Sequence, residues 1–148
     1  MKKHIVSILT VLGFAIVCVT PTFGEDLELL AGKWSLQKTN ADGQRYTQQM
    51  EIKKNKFTFK ITDPEGESQL YAEGEVKLDK AGPLKVIVFS SIKAGRSSSD
   101  TESIDDTYTS IYKFDGDTTW LLVTNFDKDR EQQKPSLDVY RKVTPAKK

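Results

Sequence analysis

The sequence predicts an all-β domain of eight mostly antiparallel strands in hairpin succession, entered through a short helical turn. Three observations predict it. Short segments alternating apolar and polar residues recur along the chain. Turn-forming clusters separate them: Asn40-Ala41-Asp42-Gly43, Asp63-Pro64-Glu65-Gly66, Asp79-Lys80-Ala81-Gly82-Pro83 and Asp115-Gly116-Asp117. Finally, beyond a turn or two at Glu25 to Leu30, no segment combines the length and period of a sizeable amphipathic helix.

The eight strand candidates run over Lys33 to Thr39, Tyr46 to Lys53, Lys56 to Thr62, Ser68 to Leu78, Lys85 to Ile92, Asp106 to Phe114, Thr118 to Asn125 and Ser136 to Val143. Because successive side chains of a strand point to opposite faces, Phe57, Phe59 and Ile61 share one face against Lys56, Thr58 and Lys60. Likewise Leu70, Ala72, Gly74, Val76 and Leu78 oppose Tyr71, Glu73, Glu75 and Lys77. The runs Val86-Ile87-Val88-Phe89 and Trp120-Leu121-Leu122-Val123 are apolar on both faces, so their outer side is either covered or sticky. Such a set closes into an up-and-down barrel or stacks as a two-sheet sandwich, since both use the same alternation.

The first 24 residues read as a secretory leader. Lys2 and Lys3 precede an uncharged run from Ile5 to Val19, and Thr22-Phe23-Gly24 places small residues at the first and third positions, which predicts cleavage after Gly24. The run is shorter than the ~20 apolar residues of a spanning helix. Val17 stands before Cys18, where lipid attachment requires a small residue. The expected product, residues 25–148, is one secreted or periplasmic domain with no membrane attachment after cleavage. The only cysteine, Cys18, and the only histidine, His4, leave with the leader. Cysteine nucleophiles, Ser-His-Asp triads and His or Cys metal sites are thereby excluded, and no metal or cofactor is expected. Losing Lys2 and Lys3 lowers the 22 Lys and Arg to 20 against 21 Asp and Glu. That balance implies neither a nucleic-acid footprint nor a polybasic membrane patch.

The stretch Leu29-Leu30-Ala31-Gly32-Lys33-Trp34 sets a glycine two residues before one of two tryptophans, between the helical turn and the first strand. This arrangement resembles the G-x-W signature of lipocalins, and Arg141 in Leu137-Asp138-Val139-Tyr140-Arg141 resembles their last-strand arginine. Together with Ile111-Tyr112-Lys113-Phe114-Asp115-Gly116-Asp117-Thr118, Lys134-Pro135 and Tyr140-Arg141-Lys142-Val143, the layout is similar to a family of small secreted lipocalin-like domains abundant in planctomycete bacteria. It departs from that pattern at Leu121-Leu122-Val123, where a cysteine is common, and at Lys134, where an arginine is common. The resemblance favours the barrel over the sandwich.

Closing the barrel makes the first and last strands neighbours. The expected plug of the closed end is then Gly32, Trp34 and Arg141: a tight bend at Gly32 lets a guanidinium lie over the indole and reach orphan carbonyls of the helical turn. In lipocalin-like barrels the ligand enters opposite the plug, and the resemblance implies a small apolar or aromatic molecule. Inward parities give the expected lining: Met50, Ile52, Phe57, Phe59 and Leu70 from the first half, then Val76, Tyr108, Tyr112, Trp120 and Val139. Gln48, Ser110 and tyrosine hydroxyls would supply polar contacts. The rival expectation is a barrel filled by these side chains and acting through its surface on an extracellular protein.

An enzyme is not expected. Glu73 and Glu75 sit on the outer face, where water leaves their acidity untuned, and Arg141 is almost the only charge read as inward. Loop carboxylates at the barrel mouth would be an enzyme's remaining resource. The Ser-rich stretch Lys93 to Ser103 reads as a polar loop that covers the mouth or recognises a partner. Asn125 to Glu131 spaces oxygen ligands as a calcium loop does, but Arg130 replaces the required glycine and Ser136 the closing glutamate.

Overall fold

The computed structural model describes residues 23–126 and 134–144; residues 1–22 of the expected leader and residues 127–131 of the Asn125–Glu131 loop lie outside the described residues. The elements are α1 (Phe23–Leu30), β1 (Gly32–Thr39), β2 (Arg45–Lys53), β3 (Lys56–Thr62), β4 (Ser68–Ala81), β5 (Leu84–Ser97), β6 (Asp100–Ile104), β7 (Tyr108–Asp115), β8 (Thr119–Thr124) and β9 (Ser136–Lys142). All pairings are antiparallel, in the order β4-β3-β2-β1-β9-β8-β7-β5-β6, and a β4–β5 pairing closes the ring. The protein is a closed antiparallel barrel of eight staves preceded by a short helix. Closure leaves no long open edge to recruit another strand.

Eight staves accommodate nine strands because β6 and β7 share one. The 14-residue β5 pairs with β7 through Val86 to Phe89 and with β6 through Ile92 to Ser97. The stretch expected as a Ser-rich loop is therefore mostly paired backbone: β5 runs on past Ile92, turns at Ser98-Ser99 and returns as β6. Alternation is weak here because the hairpin stands at the rim, with little core to face.

Turns follow local side-chain chemistry. Asn40 Oδ1 accepts the amides of Asp42 at 3.0 Å and Gln44 at 2.8 Å, and Asp63 Oδ1 accepts that of Glu67 at 2.7 Å. The β4–β5 hairpin is tighter than expected, since pairing continues to Ala81 and Leu84.

Both long strands bend where the β4–β5 register shifts between Glu73 and Glu75. Ser91 takes φ 52° there. A Cβ on Gly74 would stand 2.6 Å from the Ser90 carbonyl oxygen and 2.9 Å from Phe57 Cε1. Gly74 thus lets β5 cross close behind β4 at the corner. Gly74→Ala is expected to lower stability by about 1–3 kcal/mol through this overpacking. Urea unfolding checks it, and an unchanged midpoint would refute the close approach.

The core is concentrated towards the helix end. Leu30, Trp34, Ile52, Ile87 and Trp120 are fully or almost fully buried, with Tyr112 and Tyr140 close behind. Trp34 meets Trp120 edge to face at 5.7 Å between centroids, and Trp120 lies 5.2 Å from the ring of Tyr140. On the outer face, the register sets Val86, Ile111, Val123 and Leu137 side by side. Val86 is buried and Leu137 is exposed, so the apolar outer side expected of β5 and β8 is only partly covered.

Candidate functional site

The closed end is assembled from α1 and the ends of β1, β5, β7 and β9. Trp34 Nε1 donates to the Leu30 carbonyl at 2.8 Å, satisfying one of the carbonyls a helix leaves unpaired at its C-terminus. Lys142 Nζ donates to the Leu29 carbonyl at 3.0 Å and stands 5.1 Å from the centre of the Trp34 ring. Gly32, at φ 121°, leaves room for this side chain: a Cβ there would lie 3.3 Å from Lys142 Cε.

Arg141 does not take the place expected of it. Its side chain is on the opposite face of β9, where Nη1 donates to Thr119 Oγ1, and the residue facing Trp34 across the ladder is Lys142. The expectation failed by one residue. It followed the aliphatic positions Leu137 and Val139, whereas the residues that point inward are Asp138, Tyr140 and Lys142. Val139, expected in the lining, falls on the outer face for the same reason.

On the other side of this end, Asp26 anchors α1. Its Oδ2 accepts from Lys85 Nζ and from Tyr112 Oη, each at 2.8 Å. Burial, followed by this hydrogen bond and the carboxylate charge, raises the Tyr112 phenol well above its ordinary range. Lys85, Asp138 and Lys142 are thus charges on the inner parity that a reading of Arg141 as almost the sole one had missed.

The opposite end is hollow. A cavity of about 460 Å³ opens there, within the usual range of small-molecule sites. Of the residues expected to line it, Met50, Phe57, Phe59, Leu70 and Tyr108 do. Ile52, Val76, Tyr112 and Trp120 are buried nearer the helix and do not line it. Their parity was right, but parity carries no information about height along the barrel.

The wall includes residues the sequence reading did not single out. Ala72 and Ala94 face each other across β4 and β5, and two methyl-sized side chains in register leave the space that larger ones would fill. Phe89, Ile92 and Leu122 complete the apolar wall, and Ile104 extends it from the β5–β6 hairpin at the mouth. Short inward residues on neighbouring strands are the signal that could have revealed the hollow.

Polar side chains are the minority of the lining. Tyr140 Oη donates to Gln48 Oε1 at 2.9 Å, and Ser110 is buried in the opposite wall. Burial, with the charges of Asp138 and Tyr46, raises the Tyr140 phenol well above its usual range, so it stays a neutral donor. Asp138, 5 % exposed, is the only carboxylate in the lining among the described residues. Lys38 Nζ pairs with its Oδ1 at 2.5 Å, and that oxygen is buried.

The paired glutamates lie elsewhere. Glu73 accepts from Tyr71 Oη at 2.8 Å, Glu75 pairs with Lys56 at 2.6 Å, and neither lines the cavity. No family model matches the chain, and no curated protein matches it.

Proposed function

We propose that this is an exported, non-catalytic, lipocalin-like binding protein that holds one small, largely apolar molecule inside the barrel. The carrying observation is the cavity of about 460 Å³ walled mainly by aromatic and aliphatic side chains, with a few polar groups among them. Apolar burial supplies affinity in such a site, and a few polar contacts supply orientation. A barrel that works only through its surface is the weaker reading, because side chains large enough to fill the interior are absent at Ala72 and Ala94. The lining favours binding over catalysis, since among the described residues it holds a single carboxylate and no second acid or base beside it.

The neutral fluorophore N-phenyl-1-naphthylamine is expected to bind saturably, one per chain, with a rise in emission. Ala94→Trp, which fills the space between β4 and β5, should weaken that binding by at least about tenfold, the equivalent of losing some 1.4 kcal/mol of apolar contact. Absence of saturable binding to the parent, or equal binding to both proteins, would overturn the proposal.

A further inference from the structure

We infer that the outer face of β1, β2 and β3 is a second binding surface, one that takes an acidic polysaccharide: a hydroxyl-rich chain bearing carboxylate or sulfate groups. It lies outside the cavity and does not depend on what the cavity holds.

The charges of the chain are balanced in number but sorted in space. Outward positions of these strands alternate with the buried Trp34, Met50, Ile52 and Phe57, and they carry Lys33, Arg45, Lys53, Lys56 and Lys60 against one carboxylate, Glu51. On β4 the sign turns: Glu73, Glu75 and Asp79 stand outward with Lys77, and Glu75 holds Lys56 at 2.6 Å. Glu51 draws the neighbouring cations together. Lys53 Nζ lies 2.7 Å from it and Lys33 Nζ 3.9 Å. The hydrogen bond from Lys53, with the charges of Lys33, Lys53 and Lys60 behind it, holds the Glu51 carboxyl below its usual range. Cations spread over three strands meet a repeating polyanion at several points, whereas a small anion meets them one at a time.

A recess gives this face its shape. About 500 Å³ of space lies against the sheet, lined by Lys33, Gln49, Glu51, Thr58, Lys60 and Tyr71, and Ser98 of the β5–β6 turn borders it. The remaining outward side chains of the three strands are serine, threonine and glutamine, which donate and accept hydrogen bonds as sugar hydroxyls do. Among the described residues of these strands no outward position holds the aliphatic or aromatic side chain that the centre of a protein interface uses. Tyr71 is 7 % exposed with its hydroxyl given to Glu73, so its ring is not offered to a nucleic-acid base. A flat lipid surface does not enter a recess.

Binding of the protein to immobilised alginate, dextran sulfate and neutral dextran, read by biolayer interferometry at neutral pH, tests this. Alginate, dextran sulfate or both should bind at low salt, and which of them binds tells carboxylate from sulfate. Neutral dextran should not bind, and added salt should weaken the contact. Lys33→Gln combined with Lys60→Gln should weaken binding at least about tenfold. Lys77→Gln combined with Lys113→Gln makes the same change in net charge elsewhere on the barrel and should leave the affinity within about twofold. Glu51→Gln, which frees Lys33 and Lys53 from a competing carboxylate, should tighten binding at least about twofold. Urea midpoints establish that each variant is folded. Failure to bind either acidic polysaccharide, equal losses in the two double variants, or no gain from Glu51→Gln would overturn the inference. So would phosphatidylglycerol vesicles or single-stranded DNA binding at least as tightly as the polysaccharides.

Discussion

Trp34→Ala is expected to lower stability by about 3–5 kcal/mol, the range for removing a large buried aromatic side chain. Trp34 is fully buried, packs on Phe114 and Trp120, and holds the Leu30 carbonyl through its indole nitrogen. Truncation opens a cavity and leaves that carbonyl without its donor. Trp34→Phe keeps much of the packing and loses the donor, so it should cost less, about 1–3 kcal/mol. The contrast at the last strand is sharper. Lys142→Ala should destabilise more than Arg141→Ala, since Lys142 touches both the Trp34 ring and the Leu29 carbonyl while Arg141 is exposed. Urea unfolding of the four variants checks the assignment, and a larger loss for Arg141→Ala would refute it.

Stability should also fall steeply in alkali. Tyr112 and Tyr140 are buried as neutral phenols whose acidity in the folded protein is pushed above the ordinary value, by burial first and by nearby carboxylates second. In the unfolded chain both ionise near pH ~10. Above that pH the unfolded state therefore binds fewer protons than the native state, and the stability present below it is progressively lost as pH rises. Each phenol contributes a slope of about 1.4 kcal/mol per pH unit in that window. Tyr112→Phe and Tyr140→Phe should each remove one share of the slope, whatever they do to stability at neutral pH. Urea midpoints measured on both sides of pH ~10 read the slopes directly, and a slope unchanged in both variants would count against buried neutral phenols.

The same molecule shows how unevenly a sequence discloses its structure. The period of two in β3 and β4 assigned faces correctly because Phe57, Phe59 and Ile61 alternate with polar residues without ambiguity. In β9 the period was equally clear and its phase was not. Leu137 and Val139 look like the inner face, yet Asp138, Tyr140 and Lys142 find partners in Lys38, Gln48 and the end of α1. A shift of one residue turns every side chain of a strand to the other face, so a partner on a distant strand can overrule local hydropathy.

The candidate site was legible to a similar extent. Met50, Phe57, Phe59, Leu70 and Tyr108 could be placed by parity, whereas the height of Ile52, Val76, Tyr112 and Trp120 in the barrel depends on stagger between strands. The β5–β6 hairpin escaped notice because its pairs, such as Lys93 with Ser103 and Gly95 with Thr101, lie largely outside any core. Its pairing comes from backbone hydrogen bonds, which sequence composition hardly records.

What the sequence by itself determined is the all-β class, the position of most turns, the alternation of the early strands and the placing of Gly32 and Trp34 where α1 gives way to β1. These are local properties, set by backbone conformation and by side chains a few residues apart. Tertiary structure alone decided that Lys142 rather than Arg141 covers the indole, that Asp138 faces the interior, and that Ala72 and Ala94 meet to leave a hollow. Each of those depends on which strand lies alongside and in what register, and the free energy that selects the register comes from contacts between residues far apart in the chain.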